Sequence, residues 1–142
     1  MLVTLNKKVF LTLYLSVLKP CFVLAQANMS SEISDADKYS VAYVTVPDIE
    51  VGKKIGHGLV KNKLAACINI IPQVISIYEW DNAINEDSEV LLMIKTRTSQ
   101  VNKLTEYVTS NHPYKVCEVI SLPIKNGNPP YLKWIGENVA EN

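Results

Sequence analysis

Leu64–Pro72 (LAACINIIP), Ser76–Trp80 (SIYEW) and Glu86–Thr96 (EDSEVLLMIKT) follow one another in a chain of 142 residues. β-branched and aromatic residues dominate them, and Pro72 and the polar run 81–85 punctuate them, which is the composition of strands and turns rather than of catalytic loops. The pattern predicts a strand over 65–71 that bends or bulges at Pro72 and continues over 74–80. A turn over 81–85 then leads into a long strand over 86–96. Its VLLMI run, Val90–Ile94, is apolar throughout and reads as buried on both faces. Two long strands joined by a short polar turn make a hairpin that extends beyond a compact body.

Working outward, Val41–Val46 (VAYVTV) reads as another strand, and Asp48 after Pro47 is placed to cap a helix. Val51, Ile55 and Leu59 recur every four residues, the spacing of one helical face. Gly52, Gly56 and Gly58 each weaken that helix by up to about 1 kcal/mol against alanine, and their use is close approach to the sheet. His57 reads as a helix-surface residue. Thr98 or Ser99 caps a second helix with a stripe of Val101, Leu104, Thr105 and Val108, ended by Asn111-His112-Pro113. Residues 116–122 (VCEVISL) read as a fourth strand closed by Pro123. Residues 127–130 form a turn, and Pro130 sits in the first turn of a last helix over 131–139. The order βαββαβ with a terminal helix defines an α+β class, with helices on one side of an antiparallel sheet in the ferredoxin-like sandwich plan.

Length and composition agree with one such domain. Hydrophobic residues make up 48% of the chain, which excludes disorder of the main segment. Formal net charge is zero, but Lys7, Lys8 and Lys19 stand in the first 27 residues without an acid. No stripe of Lys and Arg interleaved with aromatics follows, so nucleic acid is not an expected partner. Lys7-Lys8, the apolar run Val9–Leu18 and the small-x-small site Ala25-Gln26-Ala27 are the three parts of a secretory signal peptide. Residues 1–27 are therefore expected to be a signal peptide or targeting segment, 28–40 a polar linker and 41–142 the domain. Cleavage near Ala27 leads to the secretory pathway, a start at Met29 leads to the cytoplasm, and an uncleaved segment is the one expected route to membrane contact.

Few residues carry obvious chemistry. Cys67 and Cys117 fall in apolar strand-like runs and belong to no C-x-x-C pair, so each is expected to act as a small hydrophobe. Glu86, Asp87 and Glu89 read as a solvated turn. Tyr78, Trp80, Tyr114, Tyr131 and Trp134 are expected to fill a core or an interface, and Lys95 and Arg97 to attract an anion. No Ser-His-Asp or Cys-His arrangement and no phosphate-cradling glycine loop is present, so the chain is expected not to be an enzyme.

From about Val41 to Ile135 the sequence resembles the CutA family, the small divalent-cation-tolerance proteins. The resemblance rests on LAACINIIP, SIYEW, EDSEVLLMIKT, HPY followed by EVI (His112–Ile120) and YLKWI (Tyr131–Ile135), in order and spacing. It implies a ferredoxin-like domain that forms a homotrimer through the hairpin strands, much as PII signalling proteins do. It also implies a role in tolerance of copper or other divalent cations and, in animals, an association with anchoring acetylcholinesterase at membranes. Some bacterial relatives carry a proposed copper-binding cysteine in the first strand, where this chain has Val44. In the HPYE-x-P-E motif of the family, Lys115 and Cys117 replace the first glutamate and the proline. Of the suggested metal ligands this leaves His112 and Glu118. Cys117, as a strand neighbour of Glu118, is expected to face the opposite way. The alternative is a PII-like sensor that binds an anionic ligand in clefts between subunits through Lys95, Arg97 and Tyr114.

Overall fold

The structure is a computed structural model that describes residues 37–141. The leader expected at 1–27, and the linker expected at 28–40 as far as residue 36, lie outside the described residues. Burial alternates along the first strand, β1 (Tyr39–Val46), so that Ala42, Val44 and Val46 face inward. They pair in register with Ile94, Leu92 and Val90 of β3 (Ala83–Arg97), and all six side chains are buried. Two helices cover this face. Helix α1 (Ile49–Lys61) starts at Asp48, whose carboxylate accepts the Val51 N–H at 2.8 Å, and its Ile55 and Leu59 reach the core. Helix α2 (Val101–Asn111) adds Leu104 and Val108.

Two glycines set how closely α1 can pack. A Cβ on Gly52 would stand 3.1 Å from Leu92 Cδ2 and 3.3 Å from Val46 Cγ2, and one on Gly58 would overlap the Tyr107 hydroxyl of α2. The expected close approach to the sheet is therefore seen at Gly52, and Gly58 makes room for the other helix.

With β2 (Cys67–Trp80) and β4 (Ile120–Pro123), the sheet has the order β2-β3-β1-β4, antiparallel throughout, and the fold is α+β and ferredoxin-like. The β2–β3 hairpin turns on two residues, Asp81 (φ 51°) and Asn82 (φ 60°), rather than over 81–85. Paired left-handed residues match the natural twist of the strands, and Asp and Asn tolerate them well. At Pro72 the expected bulge is present. Pairing jumps from Ile71↔Leu91 to Val74↔Glu89, with Gln73 left-handed at φ 64°.

Four expectations need correction. The fourth strand comprises only Ile120–Pro123, and residues 112–119 form an irregular loop. Helix α2 is entered through a 3-10 turn (Thr98–Gln100), where the Thr98 hydroxyl bonds Ser40 Oγ at 2.8 Å and Gln100, the N-cap residue, makes no side-chain capping bond. The helices also do not all share one face. The last helix, α3 (Pro129–Asn138), contacts Tyr39 and Arg97, whose side chains have the opposite phase to the core. Lastly, Val90, Leu92 and Ile94 are buried but Leu91 and Met93, facing away from α1 and α2, are only half-buried.

Leu92 packs on β1 and under α1 at the centre of the core. Leu92→Ala is expected to lower unfolding free energy by about 2–5 kcal/mol in denaturant titration.

Candidate functional site

Beyond the bulge the hairpin becomes an arm with two unlike faces. Ser76, Tyr78 and Trp80 alternate along β2 and share one face with Asp87 and Glu89 of β3. Diagonal bonds link them: Ser76 Oγ donates to Glu89 Oε2 at 2.5 Å, and the Tyr78 hydroxyl donates to Asp87. The opposite face carries Ile75, Ile77 and Ile84, all exposed. The acidic run is thus not a solvated turn. Glu86 sits opposite Ile77 on the outer face, whereas Glu89 is only 7% exposed, opposite Val74 and bonded by Ser76.

The loop after α2 closes the other side. His112 Nδ1 accepts the Tyr114 N–H at 3.0 Å, so the ring proton lies on Nε2, which donates to the Thr45 carbonyl at 2.9 Å. Tyr114 also meets the imidazole edge to face at 5.0 Å. These contacts hold the loop over the end of β1 and keep 116–119 from extending the sheet. Between loop and arm lies a cavity of about 680 Å³, bounded by Thr45, by Ser76, Tyr78 and Trp80, by Asp87 and Glu89, and by residues 113–118.

Cys117 and Glu118 both line this cavity, since the strand alternation expected to separate them does not exist. His112 has different surroundings: it does not line the cavity, and both of its ring nitrogens are bonded within the protein. No three His, Cys, Asp or Glu side chains among the described residues converge on a metal position. Cys67 and Cys117, the two described cysteines, are free and half-buried, and Cys117 packs against the main core as expected.

The two basic residues singled out from the sequence have structural partners. Lys95 donates to the Asn69 side chain and, at 3.3 Å, to the Met93 carbonyl. Arg97 ties down the end of the chain: it donates to the Val139 carbonyl at 3.2 Å and to the Gly136 carbonyl at 2.5 Å, and pairs with Glu141 at 2.9 Å. Neither borders the cavity. Of the five aromatics, Tyr78, Trp80 and Tyr114 line it, while Tyr131 and Trp134 stack on each other along α3. Ser76 and Thr45 were not legible as site residues, and Glu89 was read only as part of a solvated acidic turn; the one signal for Ser76 was its i, i+2, i+4 spacing with Tyr78 and Trp80.

The phenols of the cavity are raised above the ordinary value. Tyr78 is raised first by its hydrogen bond to Asp87, then by burial and the neighbouring charges. Tyr114 is raised by burial and then by the Glu89, Asp87 and Asp48 carboxylates. On α3, Tyr131 is raised by burial and then by Cys67.

A ferredoxin-like α+β domain with a long hairpin arm and an added terminal helix is the class these features define. The family model described as CutA1 divalent ion tolerance protein matches residues 40–138, and the chain belongs to that family. It is 62% identical over 114 residues to a CutA homolog of Xenopus laevis, covering 80% of this chain and 76% of that protein. It is 58% identical over 96 residues to Protein CutA of Mus musculus, covering 68% of this chain but 54%, about half, of the mouse protein. Among solved structures, CutA1 from Oryza sativa superposes with a TM-score of 0.73 at 47% identity, covering 77% of this chain and all of that one.

His112→Ala removes one acceptor and one donor from backbone partners. Stability is expected to fall by on the order of 1–3 kcal/mol, with faster hydrogen exchange at the Tyr114 amide and little change at core amides. The raised phenols favour the folded state while protonated. Their contribution is complete below the ordinary value of 10.0 and is lost as pH rises through the higher folded values. Ultraviolet titration should therefore find tyrosines that ionise late, accompanied by a fall in melting temperature on the alkaline side.

Proposed function

We propose that the chain is a non-enzymatic homotrimer serving tolerance of divalent metals, copper among them. The observation that carries this reading is the apolar surface the fold leaves open. On the sheet face away from α1 and α2, Ile120 and Leu122 of the short edge strand are exposed, next to half-buried Tyr43, Leu91 and Met93. The outer face of the arm adds Ile77, 68% exposed, and Ile84, 75% exposed. Apolar patches on both faces of the sheet, beside the unpaired edges of β2 and β4, suit association with further copies. Family membership supports the metal role.

In this reading metal contact falls on Glu118 at the cavity and on His112 once its Nδ1 releases the Tyr114 N–H. Anchoring of a partner protein such as acetylcholinesterase rests on family resemblance alone, as does export through the leader. Among the described residues no helix is long and apolar enough to cross a membrane. A PII-like sensor of an anion has less support, because Lys95 and Arg97 are held in internal bonds and the cavity is rich in carboxylates.

Sedimentation at micromolar concentration should find a trimer, and Ile77→Lys with Ile84→Lys should shift it towards monomer; a clean wild-type monomer sinks the assembly. Copper titration of the same protein should show weak binding that Glu118→Gln reduces. Unchanged affinity in both Glu118→Gln and His112→Ala removes those residues from the metal role.

A further inference from the structure

The loop that joins β4 to α3, residues 124–128, has no regular structure and is anchored at both ends. Ile124 donates its N–H to the Tyr39 carbonyl at 2.9 Å and packs with Leu132 against Ala66, Ile135 and Val139. Gly127 lies against Leu132: a Cβ there would stand 2.9 Å from Leu132 Cδ2 and 3.0 Å from Cγ, so any larger residue must displace that side chain. Asn126 and Gly127 are both exposed, and they form the one Asn-Gly pair in the chain.

Other asparagines are held. The side-chain amides of Asn62, Asn85, Asn111 and Asn138 donate to backbone carbonyls at 2.8 or 2.9 Å, and Asn69 accepts from Lys95. Asn128 precedes Pro129, which has no N–H to react. By contrast, Asn126 bonds to no described residue, and the Gly127 N–H donates to no described acceptor. Lacking a Cβ, Gly127 also lets its nitrogen approach the neighbouring carboxamide closely. We propose that Asn126 is a site of spontaneous deamidation. The Gly127 nitrogen attacks Asn126 Cγ; the new N–Cγ bond forms, the Cγ–Nδ2 bond breaks, and Nδ2 leaves as ammonia with the Gly127 amide proton. Water then opens the cyclic succinimide at either carbonyl, giving aspartate or isoaspartate, and no electrons are exchanged. A negative charge replaces a neutral amide beside Lys125 and ahead of α3, and the isoaspartyl form adds a methylene to the backbone. The glycine that packing on Leu132 requires is thus the residue that makes its neighbour labile. Neither residue lines the cavity, and the chemistry uses no metal.

The full chain is incubated at neutral and at mildly alkaline pH, and its digests are resolved by chromatography and mass spectrometry into asparagine, aspartate and isoaspartate forms. A synthetic peptide of residues 122–130, held alongside, supplies the rate of the unrestrained pair. The folded chain is expected to convert at Asn126 within about tenfold of the peptide rate. Conversion should be faster at the higher pH, because attack needs the Gly127 nitrogen deprotonated, and should add an acidic band in isoelectric focusing. Asn126→Gln, whose longer side chain closes the ring slowly, should abolish that band. Gly127→Ala combined with Leu132→Ala, which clears the clash, should slow conversion relative to Leu132→Ala alone. The proposal is overturned by conversion in the folded chain more than about tenfold slower than in the peptide. It is equally overturned by an acidic band that maps to another asparagine or persists undiminished in Asn126→Gln. Each result is read independently of copper binding and of sedimentation.

Discussion

The register of β3 against β1 and β2 is the constraint on which the rest of the molecule depends. Side chains at even positions, Val90, Leu92 and Ile94, enter the core beneath α1 and α2, while Leu91 and Met93 between them turn to the opposite face. A slip of one residue would exchange the two sets, putting Lys95 among the aliphatic residues and Leu92 outside. The two-residue turn at Asp81–Asn82 fixes that register from one end, and the Arg97 bonds to the last helix fix it from the other. Gly52 then allows α1 to settle directly on Leu92, so the helix position follows from the strand phase.

The same phase creates the cavity. Glu89 lies on the face shared by Leu91 and Met93, but there the sheet has begun to leave the body as an arm, and the neighbouring surface is the loop held by His112. An acid that would otherwise face water is enclosed by Ser76, Tyr114 and the residues around Cys117. The histidine that looked like a metal ligand acts as a brace for this arrangement, donating to one backbone carbonyl and accepting from one backbone amide.

Much of the architecture was legible because it is periodic. Val41–Val46 alternates, Val51, Ile55 and Leu59 keep helical spacing, and Asp48 caps the helix it was expected to cap. What escaped depends on contacts distant in sequence. VCEVISL has strand composition, yet only its end pairs, because His112 bonds Thr45 across 67 residues and holds the preceding segment as a loop. Glu89 could not be recognised as buried without knowing that Ser76 of β2 bonds it and that the loop 113–118 lies across the cavity. Lys95 and Arg97 looked like anion ligands because the Asn69 side chain and the Gly136 and Val139 carbonyls, which occupy them, lie 26 to 42 residues away.

The bulge at Pro72-Gln73 also acts as a phase shifter. Before it, Ile68 and Ile70 of β2 point into the core; after it, the even residues Ser76, Tyr78 and Trp80 point towards the carboxylates and the odd isoleucines turn outward. The body and the arm therefore obey separate alternation rules joined at a single left-handed residue. The arm can lengthen or shorten only by whole pairs of residues on each strand if both of its faces are to keep their character. Loss of one residue at the joint would remove the bulge and let β2 pair with β3 in one unbroken register, with Ser76, Tyr78 and Trp80 still on the face of Asp87 and Glu89.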